Sequence, residues 1–424
     1  MKVIDMHCDT LSELLGRRER GKAAGLRQND CHVDLLRMKE SRYLLQNFAM
    51  FVVLEGFGDP WERVCALHRY YQEELERNQD ILAPVLRFSD IAENEAQGKL
   101  SALLTVEEGG VCKGETEKLR ELYRMGVRMI TLTWNFDNEI GHPNFDAQKK
   151  QQMKHVMKTW REYTDGMSAS ADGASACAAG ASASADGTSA SAAGTSACAA
   201  GASACADGTS ACAAGASACA AGASACAAGS AEWEQKRREA QFFVDAYLHT
   251  PNLTGGLTGK GREMVAEMEG LGIIPDVSHL SDAGFYDVLE VTKKPFVASH
   301  SNARAVCPNV RNMTDDMIRR LAGRGGVMGL NFCADFLEEK PLGEKNPGTV
   351  EAVVRHARHI ADVGGVEVLG LGSDFDGIDT NEGLPGVQSM EKLWHALHEA
   401  GFSEDALDKV FYGNVLRVYR DTLG

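Results

Sequence analysis

Five short stretches hold residues whose types and spacing could do chemistry. His7 and Asp9 stand two apart at the end of an apolar run, so a strand's period of two aims both side chains the same way. Glu107 and Glu108 precede Gly109-Gly110, a pair that permits a sharp turn. Two apolar runs end alike, in Ser278-His279 and Ser299-His300, and a third ends in Gly372-Ser373-Asp374-Phe375-Asp376-Gly377. Each motif alone has an ordinary explanation: a capping pair, a solvated acidic loop, a hydrogen-bonded structural histidine, an Asp-Gly turn. Brought to one opening, His7, Asp9, Glu107, His279, His300 and Asp374 would supply what a pair of Zn²⁺ or similar ions needs, with Glu107 central enough to bridge them.

What could bring them together is a regular rhythm of elements. Strand-like runs are predicted at Lys2–His7, Phe48–Leu54, Leu100–Glu107, Arg128–Trp134, Ile273–His279, Pro295–His300, Val327–Phe332 and Val366–Asp374. Helical patterns separate most of them, at Pro60–Gln79, Glu115–Met125, Gly259–Leu271, Thr314–Ala322 and Gly348–Val363. Strands alternating with helices in this number predict an α/β fold, a (β/α)8 barrel of the TIM type rather than a doubly wound sheet. In such a barrel the reactive groups lie where strands end, and every motif above falls at a predicted strand end.

The chain has 424 residues, 44% hydrophobic and 25% charged, as in an ordinary globular protein. Its 44 Lys and Arg against 60 Asp and Glu leave a net charge of −16, which argues against nucleic acid or an anionic membrane as partner. No apolar run reaches the length of a membrane span, and the opening Met-Lys-Val-Ile-Asp-Met-His does not read as a signal peptide. The expectation is a cytoplasmic protein, for which a homodimer is an allowed state. Six of the 12 cysteines fall in one repetitive stretch, and Cys8, Cys31, Cys65, Cys112, Cys307 and Cys333 are scattered with no CxxC pair. They read as reduced thiols, not as a disulfide framework or a zinc-thiolate site.

That stretch, Ala171 to Cys226, is eight copies of a seven-residue unit close to Ala-(Ala/Asp)-Gly-(Ala/Thr)-Ser-Ala-(Cys/Ser). A period of seven suggests a coiled coil, but the unit has no Leu, Ile, Val or Met to form a seam, and each copy carries a helix-weakening Gly. With so little apolar surface it reads as a disordered insert. The organisation expected is therefore residues 1–167 as the first half of the barrel, 168–230 as the insert, and 231–424 as the second half with C-terminal helices.

At these motifs the sequence resembles the membrane dipeptidase (renal dipeptidase) family of zinc peptidases. The likeness spans His7-x-Asp9, Val106-Glu107, Leu119-Arg120-Glu121-Leu122-Tyr123-Arg124-Met125-Gly126-Val127-Arg128, Asp276-Val277-Ser278-His279, Ser299-His300-Ser301-Asn302-Ala303, Arg311-Asn312, Gly372-Ser373-Asp374-Phe375-Asp376-Gly377 and Gly413-Asn414-Val415-Leu416-Arg417-Val418. The resemblance implies two Zn²⁺ per chain: His7, Asp9 and Glu107 would bind one, and Glu107, His279 and His300 the other. It further implies that Arg311 holds the carboxylate of a dipeptide substrate, a task suited to a guanidinium, and that Asp374 handles protons. A water shared by two cations loses its proton readily, so hydroxide would be available to attack the amide carbonyl near neutral pH. Many relatives read Leu-Thr-His where this chain has Leu132-Thr133-Trp134-Asn135. Trp134 would then line the pocket, and His142 in the same loop is the candidate replacement for the missing donor. Ungapped spacing back from Leu119-Arg120 favours Glu107 over Glu108 as the bridging residue.

Two other readings keep part of this picture. One retains the metals but hydrolyses a phosphoester, a lactone or another amide, since fold and metal do not fix a substrate. The other is a non-catalytic binding protein whose site Trp134 and the insert have closed.

Overall fold

Alternating residues of the short apolar runs fall into two different layers, and this fixes the architecture. Ile4, Leu103, Met129, Val297 and Val327 join one buried cluster with Val415, Val418 and Tyr419 of the C-terminal helix Asn414–Leu423. Their chain neighbours Val3, Leu104, Ile130, Ala298 and Met328 belong to a second cluster that includes the surrounding helices. A period of two with both faces apolar is what a parallel barrel wrapped by helices requires.

The computed structural model describes residues 1–55, 58–145, 148–164 and 233–424. Nine parallel strands run in order: β1 (Val3–Asp5), β2 (Tyr43–Phe51), β3 (Leu82–Pro84), β4 (Leu100–Glu107), β5 (Val127–Thr131), β6 (Ile274–Asp276), β7 (Val297–Ala298), β8 (Val327–Leu330) and β9 (Leu369–Leu371). β1 pairs with both β2 and β9, and β2 pairs with β4 over seven registered residues, Leu45↔Ser101 to Phe51↔Glu107. The circle therefore closes through eight strands, β1, β2 and β4 to β9, as a (β/α)8 barrel. β3 is an extra short strand on the start of β4. Its three residues, Leu-Ala-Pro, are too few to show a period, so the sequence gives no sign of it. β2 begins at Tyr43, five residues before the predicted Phe48, because Tyr43-Leu44-Leu45 is buried on both faces and does not alternate.

Helix ends follow local chemistry. Gly259–Leu271 starts where the Thr258 hydroxyl accepts from the Gly261 N–H, and stops at Gly272, whose φ of 82° suits a residue without a side chain. The residues from Met1–Ala147 and Tyr247–Gly424 make one compact unit, and Gln148–Ala246 make a second. Helices 148–164 and 233–248 flank the repeat, and within the second unit Trp160 meets Trp233 with ring centroids 5.7 Å apart. The expected insert 168–230, with its six cysteines, lies outside the described residues. Among the described residues, no helix is long and apolar enough to cross a membrane.

Candidate metal centre

Each motif residue sits at or just past a strand's C-terminal end. His7 and Asp9 follow β1, Glu107 ends β4, His279 follows β6, His300 follows β7 and Asp374 follows β9. Close packing of backbone holds the rim in place. A Cβ on Gly372 would stand 1.7 Å from the Ser299 carbonyl oxygen, and one on Gly377 would stand 2.1 Å from Asp9 Oδ2. At Gly372 the obstruction is backbone and only glycine fits; at Gly377 a side chain would displace the carboxylates of Asp9 and Asp374.

The two adjacent glutamates part ways at the turn. Glu108 adopts φ 101°, and its carboxylate accepts from the backbone N–H groups of Gly110 (2.8 Å) and Trp134 (2.9 Å) and from the Asn138 amide. Burial first of all lifts its carboxyl to about 7, against those hydrogen bonds. Glu107 instead faces the histidines, and its two oxygens face different partners. Oε2 lies 3.3 Å from His7 Nε2, while Oε1 lies 3.0 Å from His279 Nε2 and 3.7 Å from His300 Nε2. His7 Nε2 is also 3.6 Å from Asp9 Oδ2 and 3.8 Å from Asp374 Oδ1. All six residues are at most 8% exposed.

The donor set fits a cation. His279 Nδ1 lies 3.1 Å from Asn135 Oδ1, which can only accept, and His300 Nδ1 lies 2.7 Å from Ser299 Oγ, whose own proton goes to Asp276 Oδ2, so both rings donate from Nδ1. Both Nε2 atoms then carry lone pairs, yet they lie 3.0 Å apart. Two lone pairs and a carboxylate oxygen at that separation repel one another unless a positive charge lies among them. His7 Nε2 and Asp9 Oδ1 are buried with no hydrogen-bond partner. Burial raises the Glu107 carboxyl, with the neighbouring Asp9 charge adding to it, and burial also raises Asp374. Burial opposes a charged His7, but Glu107 and Asp9 outweigh it and hold its proton tightly. His279 and His300 are driven well below the usual imidazole range, first by burial and then by nearby Arg311 and His7. Two imidazole nitrogens and the Glu107 carboxylate thus face one another, a donor set that fits a metal ion.

A cavity of about 690 Å³ opens onto this cluster, lined also by Arg311, Trp134, Phe51, Cys333 and Phe336. Arg311 is buried; Nη2 donates to the His300 carbonyl at 3.3 Å, while Nε and Nη1 have no partner. Trp134 packs edge-on against Phe51 at 4.9 Å between ring centroids. His142 is placed elsewhere: its side chain is 40% exposed, pairs with Asp137 Oδ1 at 2.8 Å, and is not among the residues that line the cavity. Sequence reasoning missed Asn331, whose amide donates to Asp374 Oδ2 at 2.9 Å, and Asn135, which orients His279. Asn331 follows the apolar run of β8, so the strand-end logic that found the histidines would have found it.

Comparison with known proteins places this geometry. A profile of the membrane dipeptidase family (peptidase family M19) matches residues 1–160 and 230–423. An uncharacterised protein from the pqqA 5′ region of Klebsiella pneumoniae is 35% identical over 190 residues, 45% of this chain and 69% of that protein. The dipeptidase tcpJ of Claviceps purpurea is 37% identical over 180 residues, 42% of this chain and 41% of that protein, so the matched stretch spans less than half of that relative. A solved Rhodobacter sphaeroides metallopeptidase, liganded with a phosphinate mimic of the dipeptide L-Ala-D-Ala, superposes with a TM-score of 0.69. That alignment covers 100% of this chain and 99% of that one at 21% identity, a likeness of fold.

Proposed function

The chain belongs to the membrane dipeptidase family of metal-dependent peptidases, and on that premise we propose that it is itself a dipeptidase whose centre holds two Zn²⁺. One observation carries the two-ion reading: Glu107 divides its oxygens, Oε2 towards His7 and Oε1 towards His279 and His300. His7, Asp9 and Glu107 would hold one ion, and Glu107, His279 and His300 the other. Bound there, the pair supplies Lewis-acid charge and lowers the pKa of water.

The remaining tasks fall to the chain's own groups. Asp374, held by Asn331 at Oδ2, has Oδ1 directed at the cluster, where it can take a proton from water and return it to the leaving amine. Arg311 offers Nε–H and Nη1–H, both unpartnered, to the carboxylate of a dipeptide. Trp134 and Phe51 form an apolar wall that excludes water. Arg304, close to Arg311 along the chain, is instead held by Asp282 through two hydrogen bonds of 2.7 Å. Among the described residues lining the cavity, Arg311 is the guanidinium with buried, unpartnered N–H groups, which favours a single carboxylate over a polyphosphate.

Metal analysis run beside hydrolysis of a dipeptide panel and a generic phosphoester tests the reading. We expect two Zn²⁺ per chain and turnover of dipeptides only. Stoichiometric metal with no dipeptide hydrolysis would overturn it.

A further inference from the structure

Two buried carboxylates behind the cluster make the same hydrogen bonds in two places. Asp276, at the end of β6, accepts at Oδ1 from the N–H of Ser278 (3.1 Å) and Ser299 (2.8 Å), and at Oδ2 from the Ser299 hydroxyl (2.6 Å). Asp5, at the end of β1, accepts at Oδ1 from the N–H of His7 (3.3 Å) and Ser373 (2.9 Å), and at Oδ2 from the Ser373 hydroxyl (2.6 Å). Each carboxylate thus grips a serine on the adjacent strand's extension, β7 in one case and β9 in the other. Each serine directly precedes a residue of the cluster, His300 or Asp374. Both aspartates are fully buried.

The consequences differ. Asp276 also accepts from the hydroxyls of Ser278 and Thr131, each at 2.6 Å, so five donors converge on it and keep it acceptor-only. The single Ser299 hydroxyl proton is therefore committed to Asp276. Ser299 Oγ must then accept from His300 Nδ1–H, which leaves Nε2 as the lone pair aimed at Glu107. On the other side, Asp374 has φ 64°, a left-handed conformation that a residue with a side chain rarely adopts. The grip on Ser373, one residue earlier, holds the backbone there.

We propose that Asp276 and Asp5 are positioning residues: Asp276 acts through Ser299 to fix the His300 tautomer that can bind a cation, and Asp5 acts through Ser373 to hold Asp374 towards the same cluster. The proposal rests on the reading of this cluster as a metal centre.

Asparagine at Asp276 separates this role from simple packing. Its amide nitrogen, facing Ser299 Oγ, would donate there and turn the serine proton towards His300 Nδ1. The ring would then carry its proton on Nε2, where it cannot be a ligand. In metal-free protein, ¹⁵N shifts of the histidine rings should show His300 protonated at Nδ1 in the wild type and at Nε2 in Asp276→Asn. Competition titration with Zn²⁺ should show one of two ions bound about tenfold to a hundredfold more weakly in Asp276→Asn and in Ser299→Ala. Ser373→Ala should keep both ions and the ring tautomer but lose kcat at unchanged KM. If Asp276→Asn does not fold, Ser299→Ala, which removes one oxygen, decides. An unchanged His300 tautomer in Asp276→Asn, or undiminished Zn²⁺ affinity in Ser299→Ala, overturns the assignment to Asp276; normal kcat in Ser373→Ala overturns that to Asp5. A wild type that binds no Zn²⁺ would instead sink the metal-centre reading, while the tautomer comparison in metal-free protein still decides the relay.

Discussion

The neighbouring side chains Glu107 and Glu108 show how one turn gives the same residue type two tasks. Glu107→Gln should lose both metal and activity, because an amide cannot place negative charge towards both halves of the cluster. Glu108→Gln should keep its metal, yet it replaces one acceptor oxygen by a donor among N–H groups that already point there. It should cost about 1–3 kcal/mol of stability and loosen Trp134, raising KM. Metal content, melting and kinetics of the two variants check this; equal metal loss in both would mean the turn is misread. Asp374→Asn should retain metal while kcat falls by 10²-fold or more, since proton transfer goes and the proposed ligand set stays. Arg311→Lys keeps the charge but not the planar pair of donors. It should weaken turnover of free dipeptides more than that of amidated ones, and equal losses would make Arg311 structural.

Helix Val350–Gly364 carries the next prediction, because its His356 ties two other elements together. His356 Nδ1 accepts from the Ala303 N–H at 3.1 Å, so Nε2 donates to the Leu337 carbonyl at 2.9 Å. Burial, ahead of all else, lowers its pKa from 6.5 to about 4. The unfolded chain then binds a proton that the folded chain refuses, so this contribution is present above pH 6.5 and is lost as pH falls towards 4. The loss should reach up to about 3 kcal/mol. Urea midpoints measured from pH 7 to 4 should fall more steeply in the wild type than in His356→Gln; parallel slopes would assign acid lability to other groups. Elements of this kind were legible in part. The eight barrel strands and the helix Gly259–Leu271 follow from periodicity and capping, and the cluster residues from polar types at strand ends. What the sequence withheld depends on contacts between strands: Asp5 with Ser373 is a pairing across 368 residues, and no local pattern encodes it. His142 shows the same limit, since closeness to Trp134 along the chain says nothing of which way the loop turns.

At the scale of the whole molecule, the question is whether the repeat contributes to the site. The family profile stops at residue 160 and resumes at 230, so the pattern shared with relatives passes over the repeat. Between Ser168 and Ser230 there is no His, no Glu and no large apolar side chain, and Asp172, Asp186 and Asp207 recur too sparsely to make a metal cage. The flanking helices meet through Trp160 and Trp233, so a short Gly-Ser bridge between them is a reasonable replacement for the repeat. Loop-closure entropy changes by only about 0.6 kcal/mol per doubling of length, so the excision should shift stability by on the order of 1 kcal/mol. Replacing Ser168–Ser230 with such a bridge should therefore leave melting, zinc content and kcat/KM on a chosen dipeptide largely unchanged. The competing possibility follows from the insert's place in the chain, between β5 and β6, in one of the connections that a barrel of this type uses to build its reactive face. A large fall in kcat/KM with unchanged melting and zinc content would show that the repeat serves the site, and its reading as a passive insert would then be wrong.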